Sequence, residues 1–101
     1  MTIAYLIAKD IFDKRPLGAE EGSETYTQDG EVEYKHQIFA YTAECFQRVC
    51  GEEKGDGWNE ERYFDVTSEE LDVNELTVSD IDGYVHVNYL EVQACIDKML
   101  L

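Results

Sequence analysis

The stretch LTVSDIDGYVHV, from Leu76 to Val87, decides the fold because it predicts a β-hairpin. Leu76–Ser79 and Tyr84–Val87 are short runs rich in strand-forming residues, and Asp82-Gly83 lies between them. Glycine readily adopts the positive φ that a tight hairpin turn requires, so an Asp-Gly pair between two such runs is a strong turn signal. The chain is therefore expected to contain antiparallel sheet.

A second Asp-Gly pair, Asp29-Gly30, has the same setting earlier in the chain. Thr25–Thr27 and Val32–Tyr34 flank it, and both are rich in residues that favour strands. By the same reasoning this segment predicts another hairpin, with its turn at Gly30.

Two segments have features typical of helices. Asn88 followed by Glu91 has the spacing of a reciprocal N-terminal cap and predicts a helix over about Tyr89–Leu100. In Gln37–Cys50 the apolar residues recur every three or four positions, and Gly51 follows as a C-terminal stop. This pattern predicts a second helix.

The remaining segments complete the predicted architecture. Ile3–Ala8 is an apolar run that fits either a buried strand or the start of a helix through Ile11, and its length and composition favour the strand. Arg62–Thr67 favours another strand. Glu52–Glu61 is predicted to be a loop, and Ser68 is expected to cap a short turn. The sequence thus predicts a single α+β domain over residues 1–101, with an antiparallel sheet of about four to six strands and two helices packed on one face.

Charge is the most unusual property of the composition. The 101 residues include 23 Asp and Glu against 8 Lys and Arg, for a formal net charge of −15. A magnitude of about 2–8 is enough to keep a small domain in solution, and excess like charge destabilises the compact state. Direct binding to nucleic acid or to an anionic membrane needs Lys and Arg, so neither is expected.

The three cysteines indicate a reducing compartment. An odd number of cysteines in a short chain does not fit a disulfide framework, so free thiols are expected. The apolar run near the N-terminus lacks the basic residues that open a signal peptide and is too short to span a bilayer. A cytoplasmic protein is predicted.

No catalytic residue, cofactor or metal site is predicted. Cys45 and Cys95 fall at apolar positions, where a free cysteine usually acts as a small buried hydrophobe. Cys45 and Cys50 are too far apart around a helix to share a zinc ion, and the acids that follow Asp80 fail the calcium-loop pattern because the glycine is misplaced. The protein is therefore not expected to be an enzyme.

The acidic residues are expected to form the surface that binds a partner. They concentrate between Glu52 and Asp82, and Trp58 in the most acidic loop is the best candidate for an aromatic anchor, followed by Tyr63 and Tyr26. The predicted partner-binding residues are Glu52, Glu53, Asp56, Trp58, Glu60, Glu61, Glu69, Glu70, Asp72 and Glu75.

Closely spaced carboxylates can occupy a Lys and Arg array that normally binds phosphates. In size and charge the chain resembles the small acidic inhibitors encoded by phages and mobile elements, which block restriction enzymes, CRISPR effectors or other nucleic-acid-binding proteins. This resemblance is compositional, and it implies that the chain inhibits such a protein, or a nuclease complex, as a DNA or RNA mimic that contacts its basic surface. One alternative is an immunity protein or antitoxin that neutralises a basic nuclease, and another is a salt-adapted domain whose acid is only solvated. A third is a small enzyme or ligand-binding module whose site the sequence does not reveal. Nothing in the sequence specifies an oligomeric state.

Overall fold

A computed structural model describes residues 2–18, 20–55 and 63–101 of the chain. In chain order its helices and strands are α1 (Ile3–Asp13), β1 (Gly22–Tyr34), β2 (Gln37–Lys54), β3 (Tyr63–Asp80), β4 (Gly83–Val85) and α2 (Tyr89–Met99). The strands form one antiparallel sheet in the order β1-β2-β3-β4. The predicted α+β class and antiparallel sheet are confirmed.

The two central strands set the shape of the molecule. β2 and β3 have 18 residues each, which corresponds to about 60 Å of strand. The molecule measures 61 × 23 × 19 Å, so its long axis matches the length of these strands. β1 pairs with β2 only as far as Gly22 opposite Val49. Beyond that pair, β2 and β3 continue as a two-stranded arm.

The hairpin predicted around Asp82-Gly83 is confirmed. β3 and β4 are joined by the two residues Ile81 and Asp82, and Gly83 has a φ of +128°. The Asp80 carboxylate accepts a hydrogen bond from the Asp82 backbone N–H at 2.8 Å, which fixes the turn.

The hairpin predicted at Gly30 was wrong, because Gly30 lies inside β1. The turn between β1 and β2 is instead made by Lys35 and His36, whose φ values are +51° and +65°. Tyr34 and Gln37 pair directly across it. Two central residues with positive φ match the twist of a hairpin, although this turn usually contains Asn and Gly.

The C-terminal helix is confirmed, and its predicted cap residue is in place. The Asn88 side chain accepts a hydrogen bond from the Leu90 backbone N–H at 2.9 Å. This bond satisfies one of the N–H groups that the first turn leaves without a partner.

The first apolar run forms a helix, so the prediction of a strand over Ile3–Ala8 was wrong. Its buried residues, Ala4, Ile7, Ala8 and Ile11, recur at intervals of three and four positions, which is the helical period. Burial of this stripe decides between helix and strand, because the run is too short for composition to do so.

β2 was predicted as a helix over Gln37–Cys50, and this prediction was also wrong. Its buried positions alternate from Phe39 to Val49, as expected for a strand with one face in the core. The strand continues through Glu52 to Lys54, where a loop was predicted. β3 likewise continues through Ser68 and Leu71, where a short turn was predicted.

Two bulges keep the core side of β3 continuous. The register between β2 and β3 shifts beside Asn74 and beside Thr67, each of which has no partner residue in β2. An extra residue reverses the alternation of side chains. Leu71 and Val73 therefore face the core on one side of Asn74, as Leu76 and Val78 do on the other.

One hydrophobic core joins the helices to the sheet. Its buried members come from both helices and from alternating positions of β2 and β3: Ala4, Ile7, Ala8, Ile11, Phe39, Tyr41, Ala43, Cys45, Leu71, Val73, Val78, Val92 and Ile96. α1 and α2 also contact each other. Within the described ranges, no helix is long and apolar enough to cross a membrane.

Helix α2 also completes the hydrogen bonding of β3 where β4 does not reach. The Gln93 side chain accepts a hydrogen bond from the Val73 backbone N–H at 2.7 Å and donates one to the Leu71 carbonyl at 2.8 Å. These are the two backbone groups that a neighbouring strand would otherwise satisfy.

Candidate interaction surface

The side of the sheet opposite the core carries most of the acidic residues of the strands. We call this side the outer face; it consists of the alternate positions that are not turned toward the core. Those of its residues whose side chains the structure describes are exposed or half-buried in β1, β2 and β3. The nine described carboxylates on it are those of Asp29, Glu31, Glu33, Glu44, Glu52, Asp65, Glu70, Asp72 and Glu75.

Strand geometry sets the spacing of these carboxylates. On β1, Asp29, Glu31 and Glu33 occupy every second position, which places their Cα atoms about 6.8 Å apart. Glu44 and Glu75 lie directly opposite each other on β2 and β3. Like charges in that arrangement repel and destabilise the sheet.

Asp72 is a partly buried carboxylate with other carboxylates nearby. Its pKa is raised, first by partial burial and then by the nearby charges of Glu70 and Asp97. The Arg48 guanidinium acts in the opposite direction but does not cancel these effects. Burial and the neighbouring carboxylates thus both disfavour the charged form of Asp72.

The cations of the described residues are distributed differently. On the strands of the outer face, Arg48 is the basic residue whose side chain is described, and it lies opposite Glu70. Its guanidinium lies 5.4 Å from the centre of the Phe46 ring. Lys9 and Lys14 instead form ion pairs within and just after α1, each with an N–O distance of 3.0 Å. The described carboxylates of the outer face therefore far outnumber its described cations.

Glu69 differs from the acids around it because its side chain is only 14% exposed and lies toward the core. Its Oε1 accepts hydrogen bonds from the Arg15 Nε at 2.9 Å and from the Gln47 Nε2 at 3.0 Å. Gln47 is fully buried, and its Oε1 accepts a hydrogen bond from the Leu17 backbone N–H at 2.8 Å. This polar network attaches the segment that follows α1 to β2 and β3.

The predicted partner-binding residues divide into three groups. Four of them share the outer face: Glu52, Glu70, Asp72 and Glu75. Two lie elsewhere. Glu69 belongs to the polar network, and Glu53 lies in the two-stranded arm at an exposed position on the opposite side of the sheet. The other four, Asp56, Trp58, Glu60 and Glu61, lie outside the described residues, as does the side chain of Tyr63.

The predicted residues did not include the three β1 acids, Glu44 or Asp65, which share the outer face with the predicted acids. The signal was present, because Asp29, Glu31 and Glu33 alternate with Gly30, Val32 and Tyr34. Strict alternation of acid with less polar residues indicates a strand with one solvated face. Placing a turn at Gly30 broke this alternation into two halves.

Tyr26, which was considered as an aromatic anchor, is turned toward the core. Its hydroxyl is buried without a hydrogen-bond partner among the described residues, and burial is the main cause of its raised pKa. Cys45 lies opposite it, and burial raises the pKa of that thiol to about 11. A thiol that stays protonated near neutral pH is a poor nucleophile.

In the part of the chain that the structure describes, no three His, Cys, Asp or Glu side chains are grouped so as to hold a metal ion. What the outer face offers chemically is an extended array of carboxylates on a rigid sheet. Such an array binds Lys and Arg side chains presented by another surface.

No protein-family model, curated protein or solved structure matches the chain.

Proposed function

We propose that this protein binds and inhibits a nucleic-acid-binding protein or enzyme by presenting the outer face to its basic surface, as a DNA or RNA mimic of the anti-CRISPR or anti-restriction type. The observation that carries the proposal is the set of nine described carboxylates on one face of the sheet. Proteins that bind duplex DNA make about 6–10 phosphate contacts, so the number of charges is appropriate.

The dimensions of the outer face support the same function. The part of β2 from Ile38 to Glu52 has fifteen residues and is about 46 Å long. Duplex DNA of that length has about 13 or 14 base pairs at 3.4 Å each, comparable to the site of a DNA-binding protein. A sheet holds its carboxylates in place, so binding does not require the ordering of flexible side chains on a disordered tail.

Placing carboxylates close together on the outer face destabilises the fold, which favours a function for their placement. Glu44 and Glu75 repel each other across neighbouring strands, and after burial the charges of Glu70 and Asp97 also raise the pKa of Asp72. Solvation alone is served equally well by acids placed apart from one another. A basic partner would neutralise these charges, so the repulsion is relieved in the complex.

The test is capture of partners from a nuclease-treated cell lysate on the immobilised protein, followed by mass spectrometry. The wild type is compared with an outer-face variant in which Glu31, Glu44, Glu70 and Glu75 are replaced by Gln. A matched control replaces Glu20, Glu21, Glu24 and Glu91 by Gln, which removes the same formal charge from other positions.

Each outcome favours one function. Retention of a nucleic-acid-handling protein that duplex DNA or RNA displaces, with loss in the outer-face variant and not in the control, supports mimicry. Tight retention of one nuclease that nucleic acid does not displace supports an immunity protein or antitoxin. If both variants behave like the wild type, recognition does not use the outer face and the proposal is wrong. If nothing is retained and the fold is lost in dilute buffer, the acid serves salt adaptation.

A further inference from the structure

The outer face ends in a group of exposed apolar side chains, which we call the apolar corner: Ile38, Ile81 and Tyr84. Their exposed fractions are 60%, 95% and 88%. Single exposed apolar residues are ordinary on protein surfaces. Three of them at one end of a face otherwise dominated by carboxylates are not explained in that way.

Strand pairing and the turn between β3 and β4 place the three residues of the apolar corner at one end of the sheet. Ala40, Ser79 and Tyr84 form one row across β2, β3 and β4. Ile38 lies two residues before Ala40 on the same face of β2, and Ile81 follows β3 in the turn that leads to Tyr84. A hydrogen bond of 2.8 Å from the Gln37 side-chain Nε2 to the Asp80 carboxylate joins these strand ends.

Carboxylates surround the apolar corner. Glu33 lies opposite Ile38, Glu31 lies opposite Ala40, and Asp82 shares the turn with Ile81. The nearby cation is Lys35 in the adjacent turn, whose ammonium lies 5.3 Å from the centre of the Tyr34 ring.

Beside Tyr84, the sheet opens into a shallow cleft. β4 ends at Val85, and the chain then leaves β3, so that a cleft forms between residues 76–78 and residues 84–87. An apolar side chain from another molecule can contact Tyr84 and enter this cleft. Desolvated apolar contacts surrounded by charged residues are typical of the energetically dominant part of an interface.

We propose that the apolar corner anchors the partner, and that the partner presents there an apolar side chain flanked by Lys or Arg. The basic character of this partner rests on the proposed function. Charge complementarity favours it over a second copy of the chain, because two apolar corners in contact would bring Glu31, Glu33 and Asp82 of both copies together.

The test uses two short fluorescein-labelled peptides of Lys and Arg, one with a central Leu and one with a central Ser. Their affinities are measured by fluorescence anisotropy against the wild type and against a variant with Ile81→Ala and Tyr84→Ala. The matched control carries Tyr89→Ala and Leu90→Ala, which removes one exposed aromatic and one exposed aliphatic side chain from α2. Methyl resonances of Ile38 and Ile81 are followed by NMR, with Ile3 of α1 as the internal reference.

We expect the wild type to bind the Leu peptide about fivefold more tightly than the Ser peptide. Both affinities should fall with salt, while the ratio between them stays constant because apolar contact is not screened. The ratio should fall to one in the Ile81 and Tyr84 variant and persist in the control. The Ile38 and Ile81 resonances should shift more than that of Ile3.

Three results would overturn the inference. Equal binding of both peptides by the wild type rejects the anchor and leaves the proposed function standing. Absence of binding by either peptide, even at low salt, argues against recognition of basic partners and so against both proposals. Self-association in sedimentation experiments that Ile81→Ala abolishes assigns the corner to a second copy of the chain.

Discussion

Tyr41 and Gly30 lie directly opposite each other on β2 and β1, and the Tyr41 hydroxyl donates a hydrogen bond to the Asp10 carboxylate across the space above Gly30. A Cβ at position 30 would lie 2.7 Å from Cε1 and 2.8 Å from the hydroxyl oxygen of Tyr41. Real Cβ atoms do not approach neighbours so closely. Gly30 is thus required inside a strand because side chains from β2 and α1 cover it.

Replacing Gly30 by Ala should lower the free energy of unfolding by about 1–3 kcal/mol, because the added methyl group displaces Tyr41 and strains its hydrogen bond to Asp10. Gly18→Ala is the control, since a Cβ at position 18 meets nothing within 4 Å. Urea unfolding measures both. Equal midpoints for the two variants would show that the space above Gly30 is not tightly filled.

The protein should lose stability in alkaline solution. Burial raises the pKa values of Tyr26 and Tyr41, and it raises that of Cys45 from the ordinary 9.0 to about 11. Above pH 9 the unfolded chain therefore releases protons that the folded protein retains, so the free energy of unfolding falls as pH rises. Each group contributes up to about 1.4 kcal/mol per pH unit.

Urea unfolding between pH 8 and about pH 10.5 measures this slope, and Tyr41→Phe should make it shallower above pH 10. The slope, rather than the absolute stability, is the quantity to compare, because Tyr41→Phe also removes the hydrogen bond to Asp10. A free energy of unfolding that does not change over this range would contradict the burial of these three groups.

Two adjacent acids should respond differently to truncation. Glu69→Ala leaves Arg15 and the buried amide of Gln47 without their shared acceptor, and we expect a loss of about 2–3 kcal/mol. Glu70→Ala removes an exposed side chain from the outer face and should change stability by less than about 0.5 kcal/mol. Thermal unfolding of the two variants provides the comparison, and similar losses would place Glu70 in a structural role as well.

Neutralising Glu44 or Glu75, which lie opposite each other, should raise the stability of the fold and weaken partner binding. Glu44→Gln or Glu75→Gln should each raise the free energy of unfolding by about 0.2–1 kcal/mol, because either change removes the repulsion between them. The double variant should gain less than the sum, since the repulsion is lost only once.

The same two variants should weaken capture of the partner and should make stability less dependent on salt. Glu20→Gln serves as the control, because Glu20 lies outside the strands. Loss of stability in the Glu44 and Glu75 variants would mean that these carboxylates make favourable contacts, which would remove one argument for the proposed function.

The sequence was informative where one local signal agreed with the tertiary structure. Asp82-Gly83 forms a hairpin and Asn88 caps α2, because in both places turn or cap chemistry and the apolar pattern favour the same structure. In β2 the local apolar pattern favoured a helix, whereas the tertiary structure required a strand. The alternation from Phe39 to Val49 includes Gln47, a polar residue that is buried only because Glu69 and Leu17 satisfy its amide.

The composition predicted that the interaction surface would be acidic, but it identified only some of the residues that form it. Counting acids between Glu52 and Asp82 located the β3 carboxylates, but it also selected Glu69, whose partner Arg15 is distant in sequence. The β1 acids were not predicted because only strand pairing places Asp29, opposite Thr42, diagonally next to Glu44. Composition carries no information about such long-range pairing.

The contact between α1 and α2 has a consequence for biosynthesis. Residues 3–13 are synthesised before the sheet and α2, yet Ile7 and Ile11 share a core with Val92 and Ile96, which are synthesised about 80–90 residues later. At about 5–20 residues per second, the nascent chain exposes the apolar stripe of α1 for roughly 5–18 s before its last partners exist. Through that interval, the growing excess of negative charge on the nascent chain opposes its association with other chains.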